Sequence, residues 1–232
     1  MKKITLLFVI ITANLIYAHD CLPQLVKCPI DNTELKFCVY GASAGFGIFT
    51  DFQLKVDIDD YYEEQIKSCP KCHYSGFLAD FKMEFGDSEK SKIKGFLSMY
   101  DGIAIDDAKE CQIAGELNVF RKESNDKIAN CFLVGSYVLK MKPKRIEYRK
   151  EFQNKARLSF MKAVANKEYK NPNELASINY LIAEMYRRTA DFKNATKYYK
   201  IVIKSPKKSP WIEEMVMIQK ELAVKKNDIN TI

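Results

Sequence analysis

Hydrophobic and polar residues alternate over two short segments near the start of the chain, a pattern typical of β-strands. In the first segment, apolar side chains occupy every second position: Leu35, Phe37 and Val39. The second segment covers residues 49–56 and alternates from Phe52 onward. The glycine-rich residues 41–47 between them lack the lysine of a phosphate loop, so we expect them to connect the two strands as a hairpin.

The hydrophobic period lengthens from Gly76, where Phe77, Phe81 and Phe85 recur at every fourth residue and predict a helix face. Pro143 interrupts a series of amphipathic segments, each of which predicts a helix. These segments cover residues 88–100, 104–122, 126–141, 145–168, 173–189, 192–204 and 210–226. The pattern therefore predicts an α+β protein, with a small β-hairpin module first and an α-helical region after it.

Two of the last helices carry the small and aromatic residues of a tetratricopeptide repeat, a unit of two antiparallel helices. These positions are Ala183, Tyr186, Ala195 and Tyr199. Small residues let two helices approach, while the aromatic rings fill the groove between them. We expect a tetratricopeptide-like unit that binds a protein partner; a generic helical bundle is the alternative.

The composition is that of an ordinary folded protein, with 47% hydrophobic and 29% charged residues. The formal net charge is +7, and removal of Lys2 and Lys3 would leave about +5. The basic residues are not interleaved with aromatic residues, as a base-stacking surface would require. We therefore expect no nucleic-acid partner.

The first residues predict a secretory signal: Lys2 and Lys3 precede an apolar run over residues 4–11, and Ala18 offers a small residue for cleavage. We expect cleavage after Ala18 and a periplasmic or secreted protein. Membrane attachment would require an uncleaved signal or a lipid on Cys21.

Two cysteine-containing turns indicate a zinc ribbon. Cys69-Pro70-Lys71-Cys72 is a complete zinc knuckle, whereas Cys28-Pro29-Ile30-Asp31 has aspartate at the second ligand position. Zinc binds four such donors as a tetrahedron, and a Cys-x-x-Cys turn supplies one edge. We expect Cys28, Cys69 and Cys72 as ligands, with Asp31 as the fourth; Cys38 and His73 are alternatives to Asp31.

The seven cysteines also allow oxidation, because an exported chain meets an oxidising compartment. Cys28 could pair with Cys69 or Cys72, and Cys111 could pair with Cys131 on a neighbouring predicted helix. A third interpretation treats Cys69 and Cys72 as a redox motif. That motif normally lies at a helix N-terminus, whereas a short hairpin module precedes it here.

Together these motifs resemble the uncharacterised bacterial family DUF 2225 over residues 25–205. The resemblance rests on the two cysteine turns, the aspartates at 57 and 59, the residues His73 to Gly76 and the residues Ala79-Asp80-Phe81. It implies zinc ligands at Cys28, Cys69 and Cys72 and a helical region that binds other proteins. Asp31 and the predicted signal depart from the family pattern.

The sequence is thus divided into a signal peptide (1–18), a zinc-ribbon-like module (19–86), a helical connecting region (87–142) and a tetratricopeptide-like region (143–232). His19 and His73 build no catalytic triad, so we expect a protein without enzymatic activity. The predicted function is an interaction or scaffold protein of the bacterial envelope, stapled by zinc or disulfides. The alternative is a thiol–disulfide or metal-handling protein that acts through Cys69 and Cys72.

Overall fold

The computed structural model describes residues 21–40, 45–140 and 142–229, so the predicted signal peptide lies outside the described residues. Within these ranges, six strands form three antiparallel hairpins and seven α-helices follow, which confirms the predicted α+β fold. The hairpins are β1 (Cys21–Lys27) with β2 (Glu34–Tyr40), β3 (Gly45–Ile48) with β4 (Leu54–Val56), and β5 (Ile66–Ser68) with β6 (Ser75–Phe77). The helices are α1 (Asp87–Leu97), α2 (Asp107–Phe120), α3 (Asn125–Val138), α4 (Ile146–Ala165), α5 (Pro172–Arg188), α6 (Phe192–Lys204) and α7 (Pro210–Val224).

The strand pairing differs from the sequence prediction. β2 pairs with the preceding β1, in a register that places Lys27 opposite Glu34, and not with the segment after the glycines. β3 begins inside that glycine-rich segment and pairs with β4. The local cause is the turn after β1, where the Cys28 N–H donates to the Thr33 carbonyl at 2.8 Å and reverses the chain.

The helix predicted from Phe77, Phe81 and Phe85 is also wrong. Residues 80–82 form a single 3₁₀ turn, and α1 begins only at Asp87. The Asp80 carboxylate accepts a 2.8 Å hydrogen bond from the Phe77 N–H, and such side-chain bonding competes with the helical pattern. The rings of Phe81 and Phe85 nevertheless share one core, because both contact Tyr74.

The later helices lie close to their predicted bounds. Asn171 caps α5 by accepting a 2.9 Å hydrogen bond from the Asn173 N–H, and Pro210 is the first residue of α7. Trp211 packs against the rings of Phe52 and Tyr180 and so anchors the start of α7. In the described ranges, no helix combines the length and hydrophobicity that a bilayer crossing requires.

Two hydrophobic clusters lie on opposite sides of α2. One joins the two cysteine turns to α1 and to Ile113 and Leu117 of α2. The other contains the apolar faces of α2 to α7, together with Tyr62 and Ile66 from the hairpin segment. Since α2 contributes to both clusters, it connects the cysteine turns to the helical region.

Buried ion pairs tie the second hairpin to the end of α5. Glu184 is fully buried and accepts from Arg187 at 3.0 Å and from Arg188 at 3.0 Å. Arg188 also pairs with Asp51 and donates to the Thr50 hydroxyl at 2.8 Å, in the turn between β3 and β4. Removing one partner of such a buried pair leaves an uncompensated charge, so the contact constrains where the hairpin can lie.

Gly135 is required where α3 crosses α4. A Cβ at this position would lie 2.2 Å from a ring carbon of Phe152, whereas a Cβ at Gly95 in α1 would meet no atom within 4 Å. Gly135→Ala should lower the free energy of unfolding by about 1–3 kcal/mol through overpacking. The matched variant Gly95→Ala should raise it by about 0.5–1 kcal/mol because alanine favours the helix. Chemical denaturation measures both, and equal stability of the two variants would contradict this packing.

The free energy of unfolding depends on pH through the carboxyl group of Glu110. It accepts a 2.9 Å hydrogen bond from the Ser68 N–H, and burial raises its pKa from 4.5 to about 7. A carboxyl with a raised folded-state pKa contributes stability at low pH that is lost as the pH rises through 7. Glu110→Gln keeps the acceptor without the charge, so its stability advantage over the wild type should grow from pH 5 to pH 8, by about 1–3 kcal/mol. Denaturation at the two pH values tests this; an equal difference at both would contradict it.

Candidate metal centre

The first cysteine turn connects β1 to β2. Two backbone hydrogen bonds close it: the Cys28 N–H donates to Thr33 O at 2.8 Å, and the Asn32 N–H donates to Cys28 O at 2.9 Å. Asn32 has a φ of 61°, a left-handed conformation that asparagine tolerates. The Thr33 N–H also donates to the Asp31 carboxylate at 3.0 Å, which fixes the direction of that side chain.

The second cysteine turn connects β5 to β6 and repeats the same geometry. The Cys69 N–H donates to Tyr74 O at 2.8 Å, and the His73 N–H donates to Cys69 O at 3.0 Å. His73 has a φ of 60°, so it corresponds to Asn32 of the first turn. In this correspondence Asp31 takes the position of Cys72, as the spacing in the sequence predicted.

The two turns bring four donor residues together, namely Cys28, Asp31, Cys69 and Cys72, whose ligand atoms all lie within 4.8 Å of one another. The sulfurs of Cys28 and Cys72 are 3.5 Å apart, and the Cys69 sulfur lies 3.6 Å from the nearer Asp31 oxygen. A tetrahedral zinc ion with bonds of about 2.3 Å to sulfur and 2.0 Å to oxygen requires separations of about 3.5–3.8 Å. The residues therefore fit such an ion.

The other two candidates for the fourth ligand are not part of this cluster. Cys38 forms a disulfide with Cys21, which joins the first residue of β1 to β2. His73 points elsewhere: its Nε2 atom lies 3.8 Å from the carboxylate of Asp101. Both residues are near enough in the sequence to be candidates. Cys38 is excluded because its sulfur is bonded to Cys21, and His73 is directed away by its left-handed backbone conformation.

The protonation of the three thiols reflects their crowding. The pKa of Cys69 lies far below its usual range, because the thiols of Cys28 and Cys72 donate to its sulfur. The contact with Cys69 raises the pKa of Cys28 to about 12, and the contacts with Cys28 and Cys69 raise the pKa of Cys72. Alone, the three sulfurs favour a single negative charge, whereas a bound divalent cation favours three thiolates and releases the other protons.

The centre is buried on one side and open on the other. Cys28 and Cys69 are fully buried among apolar side chains. Asp31 and Cys72 are half-buried and line a surface cavity of about 240 Å³ together with Lys71 and Lys94. Metal ions can therefore reach the donors from solution through Asp31 and Cys72.

The remaining cysteines are arranged differently from the prediction. Cys111 and Cys131 are both buried and unpaired, so the predicted disulfide between them is not formed. Cys111 packs against Gly135, whereas the Cys131 sulfur accepts from the Asn118 amide at 3.3 Å. The two thiols thus lie at different levels of the α2–α3 contact, each beside a different residue of the facing helix.

The bond between Cys21 and Cys38 was missed. The sequence contains a signal for it: once three cysteines are assigned to zinc and two to the helices, these two remain of the seven. A lipid anchor on Cys21 would require the thiol of that residue, which the disulfide already occupies.

Comparison with known families finds one match, over residues 50–223, to "Uncharacterized protein conserved in bacteria (DUF2225)". The match includes Cys69 and Cys72 but begins after Cys28 and Asp31, so it starts and ends later than the predicted 25–205. No curated protein and no solved structure matches the chain significantly. The matched region covers most of the sequence, and the chain therefore belongs to DUF2225, an uncharacterised family conserved in bacteria.

Proposed function

We propose that the chain is an exported, non-enzymatic protein of the bacterial envelope, in which zinc holds the two cysteine turns and the helical region binds another protein. The observation that carries the proposal is the set of four protein donors at one point. A catalytic zinc site has three protein ligands and leaves a position for water or substrate, whereas a structural site has four. Four donors therefore favour a structural role.

The disulfide between Cys21 and Cys38 supports export. Disulfides persist in oxidising compartments and are rare where thiols are kept reduced. Cys21, one end of this bond, lies three residues after the predicted cleavage site at Ala18, so the bond would hold the beginning of the mature chain. Such a bond suits a periplasmic or secreted protein.

An apolar groove on the helical region supports the binding of a protein. It lies between α1, α2 and α4 and has a volume of about 550 Å³. Its large apolar side chains are exposed by 42–58%: Met99, Val119, Phe120 and Leu158. Apolar patches of this kind commonly mark interaction sites. Glu116 also lines the groove and pairs with Lys155 at 3.2 Å. From Lys162, the other cation of its lining, we propose a partner segment with apolar side chains beside an acidic residue.

The tetratricopeptide-like interpretation of α5 and α6 belongs to the same proposal. Ala183, Ala195 and Tyr199 are fully buried, and Tyr186 is nearly so. Small residues between two packed helices and aromatic residues beside them are what that repeat requires. We propose that α4 and α7 cover the two sides of this helix pair, as neighbouring repeats would.

A thiol–disulfide function at Cys69 and Cys72 is the second candidate, because the pKa of Cys69 is lowered. Two features weigh against it. Cys69 is fully buried, so a substrate disulfide cannot reach its sulfur directly. The motif also lies in a hairpin turn, whereas redox motifs of this spacing normally begin a helix.

Substitution of a ligand tests the zinc proposal. The wild type should contain about one zinc per chain, and Cys72→Ser should lose most of it because only three of the four ligands remain. Cys111→Ser, which alters a buried thiol outside the cluster, should keep the metal. Elemental analysis of the purified proteins measures this. Equal zinc in Cys72→Ser and the wild type would contradict the assigned ligands.

The carboxylate ligand can be tested separately. Asp31→Cys completes four thiolates, so zinc should be released to a chelator more slowly than from the wild type, while Asp31→Ala should release it faster. The release is followed with a coloured chelator. If Asp31 does not contact the metal, the wild type and both variants should release zinc at the same rate.

A charge placed in the groove tests the partner proposal. Leu158→Glu should abolish capture of the envelope partner, because burying an unpaired carboxylate is unfavourable. Leu54→Glu, at an exposed leucine of β4, is the matched control and should retain capture. Pull-down with the three proteins measures this; the same captured proteins with all three would contradict a role for the groove.

A further inference from the structure

A separate cavity lies between α4, the end of α5 and the segment after α7, and no part of the metal centre contributes to it. Its volume is about 270 Å³, slightly below the range of about 300–1,000 Å³ for pockets that hold drug-sized ligands, so it suits a smaller group. Three of its lining side chains are cationic and one is an amide: Arg149, Lys150, Arg188 and Gln153. We call it the α4–α5 cavity.

Among the described residues, which end at 229, the charged side chains buried behind the α4–α5 cavity do not balance. Four cationic and two anionic side chains are in contact there: Lys140, Arg149, Arg187 and Arg188, with Asp51 and Glu184. Asp51 faces three of the cations, and Glu184 contacts the two arginines of α5. Four minus two leaves a net charge of +2. An excess of buried charge is costly unless an opposite charge binds to it.

Arg149 is the cation lining the cavity that lacks hydrogen-bond acceptors, as Lys140 Nζ does behind it. The Arg149 side chain is 13% exposed, and its buried Nε and Nη2 atoms have no acceptor in the described part of the chain. The nearest carboxylate oxygen, on Asp51, is 3.7 Å from Nη2, too far for a hydrogen bond. Burial and the neighbouring Arg188 lower the pKa of Arg149 to about 10, so it remains charged at neutral pH.

The other walls of the cavity are held in place. Arg188 donates from Nε to Glu184 at 3.0 Å and from Nη2 to Thr50 at 2.8 Å. Arg187 donates to the carbonyls of Asn227 and Ile229 at 2.9 and 3.1 Å, which fixes the segment after α7. The cations therefore keep their positions without a ligand, as a preorganised site requires.

We propose that the α4–α5 cavity binds a small molecule through a doubly charged oxyanion group, such as a phosphoryl group, with Arg149 as its main donor. A phosphoryl group carries a charge of about −1.5 to −2 at neutral pH, which matches the excess of +2. Guanidinium groups suit such oxygens because they donate two hydrogen bonds in one plane. Asp228, an exposed carboxylate on the opposite wall, opposes this binding and limits its affinity.

Thermal unfolding of the full, metal-loaded protein tests the proposal with inorganic phosphate as the probe. Phosphate should raise the midpoint of unfolding along a curve that saturates, because a ligand of the folded state stabilises it at a single site. Phosphate and sulfate also stabilise folded proteins generally and without saturation, so the saturable part of the rise and its change in the variants are the readout. Acetate and chloride at equal ionic strength should give no saturable rise, since they carry a single charge. Arg149→Gln should require about tenfold more phosphate for the same rise, and Asp228→Asn should require less.

Arg145→Gln is the matched control, because it removes the same charge from an exposed pair with Asp106 and should respond like the wild type. Equal responses to phosphate and chloride, or an unchanged response in Arg149→Gln, would overturn the proposal. Should Arg149→Gln fail to fold, Lys150→Gln and Asp228→Asn decide. The proposal stands if the first weakens and the second strengthens the response to phosphate, and falls if neither changes it.

Discussion

Two-stranded hairpins with strands of three to seven residues are too small to be stable alone, and the first part of this structure consists of three of them. Bonds beyond the strand ladders must therefore hold them. The four donors of the metal centre join the first hairpin to the third, and Glu110 joins the third to α2. The second hairpin depends on Asp51 and its contacts with α5. Each hairpin thus has at least one polar anchor, and the rest of the module packs around these anchors.

The metal centre and the ion pairs of Asp51 at the end of α5 have different consequences. At the metal centre, the three thiols together favour a single negative charge in the absence of a cation. Both the spacing of the donors and this charge favour binding of a metal ion. At the end of α5, Asp51 and Glu184 neutralise only half of the four cations around them. The fold therefore gathers negative donors at the metal centre and unmatched positive charge at the end of α5. Neither arrangement resembles a catalytic constellation, which is why our account assigns binding roles to both.

The sequence predicted what depends on local spacing. The 3.6-residue period located α5 over 172–188 and α6 over 192–204 almost to the residue, and Cys-x-x-Cys spacing identified Cys69 and Cys72. Asp31 was found because it occupies the same place in an equivalent turn. Pairings between distant segments were not predictable: the partner of β2, the bond between Cys21 and Cys38, and the contact of Asp51 with Arg188 across 137 positions all depend on tertiary structure. The helix expected from three phenylalanines failed because one hydrogen bond to Asp80 favoured a turn.

We propose that Cys28, Asp31, Cys69 and Cys72 form one zinc site with three sulfur donors and one oxygen donor, on which the arrangement of the hairpins depends. X-ray absorption at the zinc edge of the purified protein counts the donor atoms and measures their distances. We expect three sulfurs at about 2.3 Å and one oxygen at about 2.0 Å. Four sulfurs, or a nitrogen donor with the multiple-scattering signature of imidazole, would contradict the role of Asp31. Protein that binds no zinc, with its cysteines oxidised, would contradict the metal centre itself.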